Sequence, residues 1–554
     1  MKSEILKVYK QWVEQMRDET LRGELERISA DEKTIEDKFY KELQFGTGGL
    51  RGEIGVGTNC LNIYTIGKVT QGVAAYVKSI GGKIAVISYD SRINSDVFAR
   101  RAACVFAENG ISVYIVKELM PTPFLSFATR FYKADIGIMI TASHNPSKYN
   151  GYKVYGSDGC QITDAAASAI TRFIAGVNCF SVKAGDFSAY VRLGKIRYVD
   201  DQAEESYLQA VEKQSVCKAE NISVTYTPLN GTGYRIVPKM LARMGVHANL
   251  VKEQAMPDGN FPTCPYPNPE KPAAMELGIR YASHADSDIL LATDPDADRV
   301  GVAVKTPQGY QLLSGNEVGV LLMDYLLSER KKKGTLPCGA VVVKTIVTTK
   351  LAEKIAQKYG VTLINVLTGF KYIGEQITKL EKEGRVDRFI LGFEESYGYL
   401  SGSYVRDKDA VVAVMLIVEM ASHYKQQGKT LADRIGELYR EYGTYRHKLL
   451  NFEFSGADGA QKMESLLKRI RESLPQEFAG MKVTDCIDYL TQTRYELPKS
   501  NVLQFDLERG AQVIVRPSGT EPQIKTYLTV AGTPTDNARD LALLEESVKK
   551  LFAV

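Results

Sequence analysis

Short apolar runs alternate with helix-like stretches in three successive series along this chain, and each series ends in an apolar run that empties into a loop of unusual composition. The first passes through 84–88, a helical stretch near 94–109 and 112–116, and ends in Ile136-Gly-Ile-Met-Ile140. The second runs from 222–226, through a helix beginning near Tyr234, to 288–292. The third runs from 340–344 through 349–359 and 362–366 to 388–392. Branched apolar runs of this length bounded by turn residues fit buried strands. Their alternation with helices predicts α/β layers on mixed, largely parallel sheets. Ligands of such sheets sit beyond the carboxyl ends of the strands. The loops starting at 141, 293 and 393 are therefore expected to assemble a single site between the domains. The last hundred or so residues differ, with a charged helix near 459–473, strands around 512–515 and 526–530 and a closing helix. They predict a smaller α+β domain after a linker near 436–446. The expected division is 1–200, 201–308, 309–438 and 439–554.

A chain of 554 residues is too long for a single core. A formal charge of +4 does not point to nucleic acid. The basic run Arg330–Lys333 reads as the solvated end of a helix over 316–328. No apolar stretch approaches the roughly 20 residues that span a bilayer. The eight cysteines are scattered without a C-x-x-C pair and read as reduced thiols of a cytoplasmic protein.

The first loop is Thr141-Ala-Ser-His-Asn-Pro146, followed by Lys153. A serine at a strand's carboxyl end, with a histidine beside it, is laid out for covalent chemistry, although an ordinary polar loop has the same composition. The second loop, Asp294-Pro-Asp-Ala-Asp-Arg299, places three carboxylates at alternate positions, which suits one hard cation. An EF-hand is excluded, because its sixth and twelfth positions would be Arg299 and Lys305. Magnesium fits, since it works with few carboxylates and a phosphate oxygen. The third loop, Phe393-Glu-Glu-Ser-Tyr-Gly398, offers Glu394 and Ser396 to sugar hydroxyls, with Thr368-Gly369 as a companion. The fourth, Arg516-Pro-Ser-Gly-Thr-Glu-Pro522, is a donor-rich nest suited to phosphate. The glycine-rich segment around Arg51 reads as a phosphate loop or a connector.

In this order, the four loops resemble the α-D-phosphohexomutase superfamily, the phosphoglucomutases and phosphomannomutases, over about residues 40–554. The resemblance implies four domains around a central cleft and a phosphoryl group carried by Ser143. It implies Mg²⁺ held by Asp294, Asp296, Asp298 and the phosphoserine. Glu394 and Ser396 would read the sugar, with further substrate contacts from Thr368, Gly369, Lys408 and Arg299. Arg516, Ser518, Gly519 and Thr520 would hold the non-reacting phosphate. The implied reaction interconverts glucose 1-phosphate and glucose 6-phosphate through glucose 1,6-bisphosphate, with Arg51 stabilising the transferring group. Lys153 or His144 would move the hydroxyl proton. Lys153 is preferred, because the family places a lysine ten residues after the serine and a lysine among cations can have a lowered pKa. Phe393, Ala410 and Lys525 depart from the commoner pattern, and the first two blur the choice of sugar. Mannose- and pentose-specific members and makers of the bisphosphate stay open as alternatives. A non-catalytic relative is disfavoured by the intact serine and acidic loops. An aspartyl phosphatase is disfavoured because Tyr89-Asp-Ser-Arg92 lacks Asp-x-Asp.

Overall fold

A computed structural model describes residues 3–46, 48–454, 459–492, 496–518 and 523–552. The described residues form four sheets. The first orders its strands as Gly49–Glu53, Tyr149–Gly156, Ile136–Ile140, Ile84–Tyr89, Ser112–Ile115 and Ile196–Tyr198. The middle strands pair in parallel, and Tyr149–Gly156 folds back antiparallel on Ile136–Ile140. All five residues of Ile136–Ile140 are buried, because neighbouring strands flank both edges and helices cover the faces. The second sheet is built round Ile289–Thr293, parallel to Val224–Thr227 and antiparallel to Val300–Thr306. In the third, Val341–Thr345 lies parallel to both Thr362–Val366 and Phe389–Glu394. The fourth is antiparallel throughout, from Thr444–Glu453 to Glu477–Phe478. Three mixed α/β layers and an α+β unit are thus present as expected.

The expected linker near 436–446 is not a linker. Helix Leu431–Tyr442 runs through its first half, Gly443 turns the chain at φ 90°, and strand Thr444–Glu453 begins at once. Leu431, Ile435 and Leu438 bury an apolar stripe, which keeps this segment helical. The basic run is a solvated helix end as expected, although the helix runs on to Lys332, with Arg330–Lys332 in its last turn and Lys332 paired with Glu329.

The domains are not separate globules. One apolar cluster runs from Val86 in the first sheet through Leu291 and Val342 to Leu438. At its centre, helix Ala410–Lys425 is buried on nearly all sides, which explains why its sequence shows no amphipathic period. The chain's single tryptophan, Trp12, packs edge-on against Phe39, Tyr64 and Phe180 and fastens the leading helices to the first domain. No helix among the described residues is long and apolar enough to cross a membrane.

Candidate active site

Strand Ile136–Ile140 delivers Thr141 to a tight junction. The Thr141 hydroxyl donates to Asp90 Oδ2 at 2.6 Å and accepts from the Ser143 amide at 2.8 Å. Ser143 itself adopts φ 52°, a left-handed conformation that costs energy for a residue with a Cβ and persists only where its surroundings enforce it. Arg92 does the enforcing. Its guanidinium donates to the carbonyls of Ser143 (2.5 Å), Pro146 (2.9 Å), Tyr149 (3.0 Å) and Asn145, while Asp90 pairs with it at 3.3 Å. Ser143 is only 4% exposed, and its Oγ donates to Asp294 Oδ2 at 2.9 Å. His144 Nδ1 lies 3.1 Å from the same oxygen. Burial lowers the His144 pKa, and Arg299 and Arg51 lower it further, so the imidazole is neutral.

Asp294, Asp296 and Asp298 are fully buried beyond strand Ile289–Thr293, and oxygens from all three lie within 4.8 Å of one another. Asp294 Oδ1 accepts from the Asp298 and Arg299 amides, both at 3.1 Å. Asp296 Oδ2 accepts from Thr122 and Lys153, both at 2.8 Å. Asp296 Oδ1 and Asp298 Oδ1 are buried without any hydrogen-bond donor among the described residues. Orphaned buried carboxylate oxygens are costly. Burial together with Asp296 and Asp298 pushes the Asp294 carboxyl well above its ordinary range. Converging oxygen donors, two of them unsatisfied, fit a hard divalent cation.

Lys153 departs from the sequence expectation. Burial opposes its charge, but Asp296 and Asp298 outweigh that, and the pKa is raised rather than lowered. Its neighbours in space are mainly carboxylates, which the residues beside it in sequence did not reveal. Lys408 is held in the same way, at 3.2 Å from Asp298 and 2.9 Å from Asp407. Arg299 pairs with Glu270, and Arg51 donates to Asn145 at 2.9 Å across the serine loop.

The third loop is bound to the acidic one through the backbone. Arg299 and Gly398 form an antiparallel bridge, and the Val300 amide donates to the Tyr397 carbonyl at 3.1 Å. A Cβ on Gly398 would fall 2.2 Å from Lys408 Cδ and 2.9 Å from Glu394 Oε1, so a side chain here would disrupt the site. Glu394 is 5% exposed, Ser396 is half-buried, and Glu395 accepts from Thr345 at 3.2 Å. Thr368 presents a buried hydroxyl without a partner among the described residues, and Gly369 takes φ 120° where helix Phe370–Lys382 begins. In the fourth loop, Arg516 and Lys525 face each other across two strands, and the Ser518 amide donates to the Gln523 carbonyl at 2.7 Å. Gly519 and Thr520 lie outside the described residues. Burial depresses the Lys525 pKa, and Arg516 and Arg299 depress it further, which links the fourth loop to the acidic one.

Sequence reasoning missed Asp90, Arg92, Thr122 and Glu270 as parts of this site, and noted Lys525 only as a departure from the commoner pattern. The available signal was Tyr89-Asp-Ser-Arg92 itself, a charged pair directly after a buried strand, which was weighed only as a phosphatase signature.

A buried serine against a carboxylate triad, ringed by lysines and arginines, defines a phosphotransferase. Models described as phosphoglucomutase/phosphomannomutase alpha/beta/alpha domains I, II and III match residues 42–178, 205–309 and 314–442, most of the chain. The phosphoglucomutase of Staphylococcus aureus strain MSSA476 is 36% identical over 539 residues, covering 94% of this chain and 95% of that protein. That of Staphylococcus saprophyticus is 35% identical over 534 residues, covering 94% and 96%. Among solved structures, the parafusin phosphoglucomutase of Paramecium in its open form superposes with a TM-score of 0.70 at 19% identity, covering 92% of this chain and 96% of its own. A phosphoglucomutase/phosphomannomutase family protein of Burkholderia thailandensis gives 0.70 at 18%, covering 92% and 97%. These two share the fold. The chain belongs to the phosphoglucomutase/phosphomannomutase family, an enzyme family of three α/β/α domains, here followed by a fourth, antiparallel one.

Proposed function

We propose that this protein interconverts α-D-glucose 1-phosphate and glucose 6-phosphate, with Ser143 as the carrier of the phosphoryl group. The observation that carries the reading is the position of Ser143 Oγ, fixed by a strained, Arg92-clamped turn at 2.9 Å from Asp294. Phosphoryl transfer depends on positioning and charge neutralisation, and this site supplies both. Phospho-Ser143 passes its group to the free hydroxyl of the bound monophosphate, and the hydroxyl's proton leaves to a neighbouring base. The resulting glucose 1,6-bisphosphate turns end for end and returns its other phosphate to the Ser143 oxygen. Asp294, Asp296 and Asp298 would hold Mg²⁺, which when bound supplies positive charge to the phosphoryl oxygens.

The remaining roles belong to the chain's own groups. Arg51 lies across the serine loop and offers charge-assisted hydrogen bonds to the transferring group. Lys153 and Lys408, kept charged by their carboxylates, line the acceptor side. Lys153 and His144 are the two groups placed to move the hydroxyl's proton, with His144 Nδ1 3.1 Å from Ser143 Oγ and Lys153 Nζ 2.8 Å from Asp296. Glu394, Ser396, Thr368 and Gly369 read the sugar, while Arg516 and Ser518, joined by Lys525, hold the distal phosphate. An assay with glucose, mannose, ribose and N-acetylglucosamine 1-phosphates, with catalytic bisphosphate added, tests this reading. Glucose is expected to give the highest kcat/KM, and a higher value with any of the other three would overturn the substrate assignment.

A further inference from the structure

Away from the cleft, a second set of donor atoms converges where the segment after helix Asp201–Glu212 meets helices Gly315–Lys332 and Ala410–Lys425. Atoms of Cys217, Glu329 and His423 lie within 4.8 Å of one another. Cys217 Sγ is 3.5 Å from Glu329 Oε2, and His423 Nε2 is 3.6 Å from Glu329 Oε1. A tetrahedral zinc with bonds of about 2.0–2.3 Å sets its ligand atoms roughly 3.3–3.7 Å apart, and these two separations, one to each Glu329 oxygen, fall in that range. The Gln427 amide nitrogen, a donor, lies 2.8 Å from His423 Nε2, so this nitrogen carries a lone pair, which is occupied here by Gln427. The backbone beneath Cys217 is held in place, because the Val216 and Cys217 amides donate to buried Glu419 at 3.0 and 3.1 Å.

Three donors facing one another call for a positive charge. Here Lys332 Nζ sits 2.6 Å from Glu329 Oε1, and Lys333 Nζ sits 3.5 Å from Cys217 Sγ. The Lys332 side chain is 64% exposed, so it can leave for solvent at little cost. Thiolate, imidazole and carboxylate together suit zinc far better than magnesium. We propose that Cys217, Glu329 and His423 form a zinc site that clamps the segment entering the second sheet onto the two helices. On binding, the Cys217 thiol gives its proton to solvent and Gln427 releases the His423 nitrogen.

The full-length protein, freed of metal by chelator and dialysis, is titrated with Co²⁺. A near-ultraviolet thiolate-to-cobalt absorption is expected in the wild type and is lost in Cys217→Ser, while His423→Ala weakens binding by at least about tenfold. The aspartate triad offers only oxygen and cannot produce that band. Zn²⁺ is also expected to slow alkylation of Cys217 by iodoacetamide in the unmodified protein, read by peptide mass spectrometry, which does not rely on any variant folding. The absence of a thiolate band, a band that survives Cys217→Ser, or an alkylation rate indifferent to Zn²⁺ would overturn the site.

Discussion

Replacing Arg92 by methionine tests the idea that one buried guanidinium holds the reactive serine in place. The side chain spans four carbonyls, those of Ser143, Asn145, Pro146 and Tyr149, and pairs with an Asp90 that has no solvent exposure. Methionine keeps the bulk and loses every donor. Asp90 retains the hydroxyls of Thr141 and Ser95 but no cation. Removing one member of a buried pair costs about 3–5 kcal/mol, because the remaining charge is left uncompensated. A chain with several domains does not unfold in one step, so the loss is best read locally. Native-state hydrogen exchange should show the opening free energy of strands Ile84–Tyr89 and Ile136–Ile140 reduced by about that amount. Turnover should fall about a hundredfold or more, since displacing a reacting atom by an ångström has that effect. Arg92→Lys separates the two consequences. An ammonium neutralises Asp90 but cannot reach four carbonyls in a planar fork, so exchange protection should largely return while turnover stays low. If Arg92→Met leaves exchange within about 1 kcal/mol of wild type and turnover nearly intact, the clamp argument is wrong.

Ser143→Ala should abolish turnover while leaving the fold intact, and intact-mass analysis of the wild type should show a fraction heavier by one phosphate that the variant lacks. EDTA should inactivate the enzyme and Mg²⁺ restore it, while alanine at Asp294, Asp296 or Asp298 should lower turnover by orders of magnitude; full activity in excess chelator would refute the triad's role. Arg516→Ala should lose about 2–4 kcal/mol of transition-state binding, roughly thirty- to a thousandfold in kcat/KM, and make the reaction depend on added glucose 1,6-bisphosphate. Lys344 is 2% exposed on the third sheet and donates only to backbone carbonyls, with Thr348 O at 3.1 Å; burial brings its pKa down to about 8. A depressed lysine binds its proton less tightly in the folded state, so stability should rise as pH climbs from about 8 to 10.5, by about 3 kcal/mol. Native-state hydrogen exchange of strand Val341–Thr345 in wild type and Lys344→Met across that window should differ by this slope, and parallel profiles would contradict it.

The local elements were largely written in the sequence. Branched apolar runs at 136–140 and 362–366 are strands with the expected bounds, and the alternation of strands with helices announced three α/β layers and the loops at their carboxyl ends. Backbone preference, side-chain branching and apolar periodicity act between near neighbours, so the order of residues alone carries them. Elsewhere the local signals misled or fell silent. The segment at 436–446 looked like a linker although Ile435 and Leu438 bury a helix there, and helix 410–425 has no polar face because other domains surround it.

The electrostatics of the site belong to the tertiary structure. Ser143 and Asp294 are 151 residues apart in the chain, and Lys153 and Asp296 are 143 apart, yet each pair is in hydrogen-bond contact. Whether Lys153 lies among cations or carboxylates depends on which strand ends the fold brings together, and that decided the direction of its pKa shift. Arg92 looked unremarkable beside Asp90, and only the return of strand 149–156 against 136–140 made it the clamp of the serine loop. Neighbouring residues set which conformations a segment can adopt. Which charges meet, and which are buried without a partner, follows from sheet order and domain packing across distances that no local pattern encodes.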